Sequence, residues 1–210
     1  MKMSLFLNQF LKFFFLITPF FVLSMYLSMT QDWETRQKKM LALYVGGAAF
    51  VICTVLLFFG RFIFSAFAIT LDAFRIGGGA LLFLTSVGLV NSNVTDKKQS
   101  VQSADPNGKI SSIAVVPLAI PVTIGPGTIG AMLVIGAESS GIQFQLISLG
   151  AVALALSVLT VMLAAASWLE QKLGRNVIMI FSKLTGLVLA AMASQMIFTG
   201  IRSFLVVGQQ

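Results

Sequence analysis

Six apolar stretches, each long enough to cross a lipid bilayer as a helix, constrain this chain more than any other feature. They cover roughly residues 5–29, 41–59, 74–90, 113–136, 146–168 and 184–207. A transmembrane helix needs about 20 predominantly apolar residues. Of the 210 residues, 57% are hydrophobic and 10% are charged, which excludes a water-soluble domain, a disordered chain, a collagen and a coiled coil. We therefore predict an all-α membrane protein with six transmembrane helices.

The side-chain inventory excludes most enzymatic and metal chemistry. Histidine is absent, and Cys53 is the single cysteine. A histidine acid or base and a Cys/His metal cluster are therefore ruled out. We expect no enzymatic activity, no catalytic residue, no metal site and no resident cofactor.

The basic residues are distributed unequally between the two sides of the predicted bundle. Nine lie in the connections on one side: Arg36, Lys38, Lys39, Lys97, Lys98, Lys109, Lys172, Arg175 and Lys183. The other side has five: Lys2, Lys12, Arg61, Arg75 and Arg202. Because cytoplasmic loops carry the excess of Lys and Arg, both termini are predicted to be non-cytoplasmic. The net charge of +7 then reflects orientation in the lipid bilayer, and we expect no nucleic-acid partner.

One long polar segment divides the chain into two halves of three spans. Residues 91–112 are rich in Ser, Asn, Asp, Pro and Gly, which predicts a flexible cytoplasmic linker. The first half is then 1–90 and the second is 113–210. Because each half has an odd number of spans, two similarly folded halves must face opposite ways across the membrane.

Two pairs of short blocks indicate that the halves are related. Residues 17–19 (ITP) align with 124–126 (IGP), an offset of 107 residues. Residues 74–78 (FRIGG) align with 182–186 (SKLTG), an offset of 108. The near-constant offset predicts an inverted-topology repeat, an architecture common in secondary transporters. Duplication retained only for packing is the alternative.

Prolines and glycines interrupt the first and fourth spans. Proline inside a helix removes a backbone donor and clashes with the preceding turn, so we predict breaks near the membrane midplane. The freed backbone groups must be buried in protein or line a wet cavity, and the alternative is a kink for packing. The candidate substrate-binding residues are Thr18, Pro19, Pro121, Thr123, Gly125, Pro126, Gly127 and Thr128.

Four polar residues near the third and sixth spans are candidates for gating or for a counter-charge. Arg75 and Lys183 occupy matching places in the two halves, either reaching the interface or locking the halves together. Asp72 is taken as the only acid near a span, placed to pair with Arg75 or to cap the third helix. Gln195 is a lone amide that contacts either a neighbouring helix or the substrate.

The block 117–130 (PLAIPVTIGPGTIG), together with FRIGG at 74–78 and the last span, resembles the MarC family of bacterial inner-membrane proteins. The resemblance covers nearly the whole chain. It implies a six-span secondary transporter in the cell inner membrane that carries small neutral amino acids by alternating access, with a Na⁺ or H⁺ gradient as the candidate driving force.

The first break departs from that family's pattern at Thr18, Phe21 and Ser24. A non-transporting MarC-type membrane protein with a scaffold or stress-response role is therefore the alternative function. A channel or dimeric pore is a further one, and a homo-oligomer is left open.

Overall fold

The described part of the chain is entirely built around α-helices. A computed structural model describes residues 2–31, 33–68, 70–91, 118–119, 122–138 and 141–207. Within these ranges there are seven helices: α1 Lys2–Leu16, α2 Pro19–Met29, α3 Thr35–Phe67, α4 Leu71–Asn91, α5 Pro126–Glu138, α6 Ile142–Ala164 and α7 Ala166–Val207. The prediction of an all-α membrane protein is confirmed.

Five segments of the described residues are long and apolar enough to cross a membrane. They are Met3–Met29, which combines α1 and α2, then Thr35–Gly60, Leu71–Asn91, Ile142–Ala164 and Ala166–Leu205. A shorter apolar helix covers Gly127–Glu138. Residues 113–117 and 120–121 of the predicted fourth span lie outside the described residues, as does nearly all of the predicted linker 91–112.

The last helix differs from its prediction. The sequence suggested a charged connection between spans that end near residue 168 and begin near 184, whereas most of this connection is helical and only Gly174, within α7, has non-helical backbone angles. Lys, Arg, Glu and Gln are good helix formers, so a charged segment at the membrane edge continues the helix. The deviation is at Gly174, whose φ of 76° is readily adopted only by glycine and produces a kink.

The interrupted elements form the centre of the bundle. In the segment Met3–Met29, 56% of the most apolar 18-residue stretch is buried, compared with 28–39% of the corresponding stretch in the four other candidate spans. In α5, residues 130–134 are all buried. Large apolar side chains on the outer helices, including Phe62 and Phe198, are instead exposed, as expected for a surface in contact with lipid.

The two halves pack reciprocally. In the first half, α1 packs on α6 and α2 packs on α7. In the second half, α5 packs on both α3 and α4. Each interrupted element therefore contacts the second and third helices of the other half. The third helices themselves, α4 and α7, have the most extensive contact with each other.

The bundle has two ends that we name by residues. At the Glu138 end, α3 passes to α4 and α5 passes to α6. At the Ala165 end, α2 passes to α3 and α6 passes to α7. Two contacts fix this arrangement: Arg75 in the second turn of α4 reaches Glu138 at the end of α5, and Gly46 near the start of α3 lies against Thr160 near the end of α6.

Candidate functional site

The first span is interrupted between Leu16 and Pro19. Thr18 has left-handed backbone angles, φ 51° and ψ 57°, and is only 5% exposed. Pro19 is the first residue of α2, a position where its missing N–H is not needed. The carbonyl of Thr18 accepts the first helical hydrogen bond from the N–H of Val22, at 3.0 Å. The first break is therefore present where it was predicted.

The second interruption has the same local pattern 107 residues later. The carbonyl of Gly125 accepts from the N–H of Ile129 at 2.9 Å, and Pro126 is the first residue of α5. Upstream the turn is wider than in an α-helix, because the N–H of Ile124 donates to the carbonyl of Ala119, five residues back, at 2.9 Å. Within this wide turn, the hydroxyl of Thr123 donates to the carbonyl of Leu118 at 2.8 Å.

The two interruptions meet in the core. The hydroxyl of Thr128, in the first turn of α5, donates to the carbonyl of Leu16, the last residue of α1, at 3.0 Å. The two residues are 112 positions apart, and Thr128 is 5% exposed. The contact uses a carbonyl that the break leaves without a helical partner. The structure thus places the end of α1, two residues before Thr18, against the first turn of α5.

Glycines allow α5 to approach its neighbours at backbone distance. A Cβ on Gly127 would lie 2.5 Å from the Cα of Leu82 in α4, and one on Gly130 would lie 2.9 Å from the Cα of Gly78. On the other side of α5, a Cβ on Gly136 would lie 2.4 Å from the carbonyl oxygen of Leu57 in α3. These glycines are therefore required by packing, whatever ligand the site holds.

The polar groups buried in the described part of the chain carry no formal charge. They are hydroxyls and one amide: Gln9, Thr18, Thr30, Ser86, Thr123, Thr128, Ser148, Ser182 and Thr185. Among all residues that the structure describes, no three His, Cys, Asp or Glu side chains are grouped so that they could hold a metal ion. At each break the first turn of the following helix contributes a partial positive charge. A helix start of this kind can hold a carboxylate, and uncharged surroundings favour a ligand of zero net charge.

An ion network at the Glu138 end joins the two halves. Arg75 pairs with Asp72 one turn earlier in α4, and its Nη2 lies 2.5 Å from Oε1 of Glu138 in α5. Nε of Arg75 also donates to that oxygen at 3.1 Å. The hydroxyl of Ser203 in α7 donates to Oδ2 of Asp72 at 2.7 Å. Arg75 and Asp72 are therefore brought together, as the sequence suggested.

Sequence reasoning missed Glu138. The statement that Asp72 is the only acid near a span was wrong, because Glu138 ends α5 just two residues beyond the predicted fourth span. An acid directly following an apolar stretch was a usable signal. Its partner could not be identified from the sequence, because Arg75 is 63 positions away.

The remaining predicted site residues are not brought together by the described structure. Lys183 is half-buried in α7. Gln195 lies on an exposed face of α7. Pro121 lies outside the described residues.

Comparison with known proteins agrees with a chain that is integral to a membrane. The sequence pattern of the MarC family of integral membrane proteins matches residues 3–205. A UPF0056 membrane protein of Methanocaldococcus jannaschii is 32% identical over 207 residues, which cover 98% of this chain and 100% of that protein. The UPF0056 membrane protein YhcE of Escherichia coli is 29% identical over 193 residues, 92% of this chain and 90% of that protein. No solved structure matches the chain at a significant level.

Proposed function

The chain belongs to the MarC family of integral membrane proteins, and on that premise we propose that it is a secondary transporter of small neutral amino acids. We place the substrate at the crossing of the two broken helices and propose no enzymatic step. The observation that carries the proposal is the hydrogen bond from Thr128 to the carbonyl of Leu16, because it joins two interrupted helices in a buried, uncharged environment.

An inverted repeat of two three-span halves is part of the proposal. Its support is that Pro19 and Pro126 begin half-helices with the same first hydrogen bond, 107 positions apart. The reciprocal packing of each interrupted element on the other half agrees with such a repeat. Five candidate spans are long enough by themselves, and we assign α5 to the remaining one, which is the fourth in chain order. Halves of this kind can rock around a fixed central site and expose it to either side in turn.

The substrate class follows from charge and space. A neutral amino acid is a zwitterion, so its carboxylate suits the partial positive charge at a half-helix start and its ammonium suits carbonyl and hydroxyl oxygens. Close packing at Gly127 and Gly130 favours a small side chain such as that of glycine, alanine, serine or threonine. None of the buried polar residues listed above is a carboxylate that could carry a proton, which favours Na⁺ coupling or exchange over H⁺ coupling.

We further propose that the Ala165 end faces the cytoplasm and that the protein resides in the cell inner membrane with non-cytoplasmic termini. The bases at the start of α3 and of α7 lie at this end: Arg36, Lys38, Lys39, Lys172 and Arg175. Arg75 and Arg202 lie towards the other end. This distribution follows the excess of Lys and Arg in cytoplasmic loops.

Flux of radiolabelled amino acids into proteoliposomes tests the proposal. We expect uptake of glycine, alanine, serine or threonine, measured with and without a Na⁺ gradient, and no uptake of glutamate or lysine. Gly127→Leu is expected to abolish uptake, because a side chain there would overlap the backbone of Leu82 and displace the start of α5 from its place at the crossing. Gly47→Leu is the matched control, since a Cβ at Gly47 meets nothing within 4 Å.

The outcomes separate the two functions. Uptake that Gly127→Leu removes and Gly47→Leu preserves supports the transporter. Absence of flux for every neutral amino acid in the panel, with protein that is folded and inserted, would contradict it and favour a non-transporting scaffold role.

A further inference from the structure

We propose that the contact between Arg75 and Glu138 is the gate that closes the central site at the Glu138 end of the bundle. The inference rests on the proposed transport function and adds the residues that control access to its site. It identifies Glu138 as the gating carboxylate, with Asp72 and Ser203 as positioning residues for Arg75.

The first step is that the ion pair crosses the boundary between the two halves of the chain. Arg75 belongs to the first half and Glu138 to the second. In an inverted repeat, access to a central site opens where the halves separate. An ion pair across that boundary must break before the Glu138 end can open.

The second step is that the ion pair lies at one end of the interface between α4 and α5. We call this interface the seam, and its other end is the broken start of α5. Gly130, Val134 and Glu138 are four residues apart in α5 and therefore share one face of the helix. Gly130 on this face packs directly against Gly78 of α4. Val134 is 4% exposed and occupies the turn between that contact and Glu138. The seam runs from the broken helix start to the ion pair.

The third step is that Arg75 is held from both sides. Its side chain is 16% exposed, and it contacts carboxylates on α4 and α5 at the same time. The hydroxyl of Ser203 holds the other oxygen of Asp72, which ties the end of α7 to the same network. Removing one partner of an ion pair that is partly withdrawn from water destabilises the surrounding contact, because the remaining charge is left uncompensated.

Thiol accessibility tests the gate without any measurement of transport. Val134→Cys is placed in a Cys53→Ala background and reconstituted in vesicles of both orientations. A membrane-impermeant methanethiosulfonate reagent is added from outside, and the rate of modification is measured with Arg75 and Glu138 intact. We expect slow modification from both sides. Arg75→Gln or Glu138→Gln is expected to raise the rate at least tenfold in one vesicle orientation.

Two controls separate gating from unfolding. Glu170→Gln removes the exposed ion pair with Arg175 in α7 and should leave the rate unchanged. Each gate variant is also prepared with Cys53 retained and no other cysteine; Cys53 is completely buried, so it stays unreactive while the bundle is folded.

The double variant gives the sharpest outcome. Because both substitutions break the same contact, Arg75→Gln with Glu138→Gln should open the seam no further than the stronger single variant. Rates that change less than threefold in both single variants would overturn the gate. Since no substrate is involved, a protein that fails the flux assay can still pass this one, and the two proposals fail independently.

Discussion

Replacing Gly127 by alanine should destabilise the bundle, although alanine is the better helix former. An added Cβ would lie 2.5 Å from the Cα and 2.7 Å from the backbone nitrogen of Leu82. Both neighbours are backbone atoms of α4, so no side-chain rotation relieves the overlap and the two helices must move apart. Overpacking of this kind costs about 1–3 kcal/mol.

Gly77→Ala is the matched control in α4. A Cβ at Gly77 meets nothing within 4 Å, so this variant should gain about 0.5–1 kcal/mol from the lower entropy cost of alanine in a helix. The free energies of unfolding of the two variants should therefore differ by about 1.5–4 kcal/mol.

Unfolding by sodium dodecyl sulfate in mixed micelles, followed by tryptophan fluorescence, measures the difference. Trp33 is 6% exposed and reports loss of the packed state. Gly127→Ala should unfold at a lower detergent fraction than the wild type, and Gly77→Ala at an equal or higher one. If Gly127→Ala is as stable as Gly77→Ala, the close approach of α4 and α5 is wrong.

Two further predictions concern the centre of the bundle. Thr128→Val removes the donor to the carbonyl of Leu16 and should lower the free energy of unfolding by about 1–2 kcal/mol. Thr128→Ser keeps the hydroxyl and should keep most of the stability. Equal losses for the two variants in the same detergent titration would contradict a role for the hydrogen bond. Cys53 is fully buried and should react with a maleimide in the unfolded but not the folded protein, as measured by mass spectrometry, so rapid labelling of folded protein would show that the core is open there.

The breaks were predictable because their cause is local. Proline in an apolar stretch disrupts a helix wherever that stretch packs, so Pro19 and Pro126 could be located from the sequence. The same holds for the burial of the interrupted elements, since lipid cannot satisfy freed backbone groups.

What could not be predicted depends on contacts between distant segments. That Arg75 would meet Glu138 depends on how α4 and α5 cross, and this crossing depends on glycine pairs such as Gly78 and Gly130 that a sequence alone does not match. The helical structure on either side of Gly174 was missed for a different reason, because charge indicates the membrane edge but does not specify the backbone conformation there.

The hydrogen bond between Thr128 and Leu16 has a consequence for synthesis of the chain. The carbonyl of Leu16 emerges from the ribosome 112 residues before the hydroxyl that satisfies it. At about 5–20 residues per second, that interval lasts roughly 6–22 s. During it the first half must keep an unpaired backbone group away from lipid, beside water or within the insertion machinery. Biogenesis of this protein therefore depends on a protected waiting period that an uninterrupted first helix would not need.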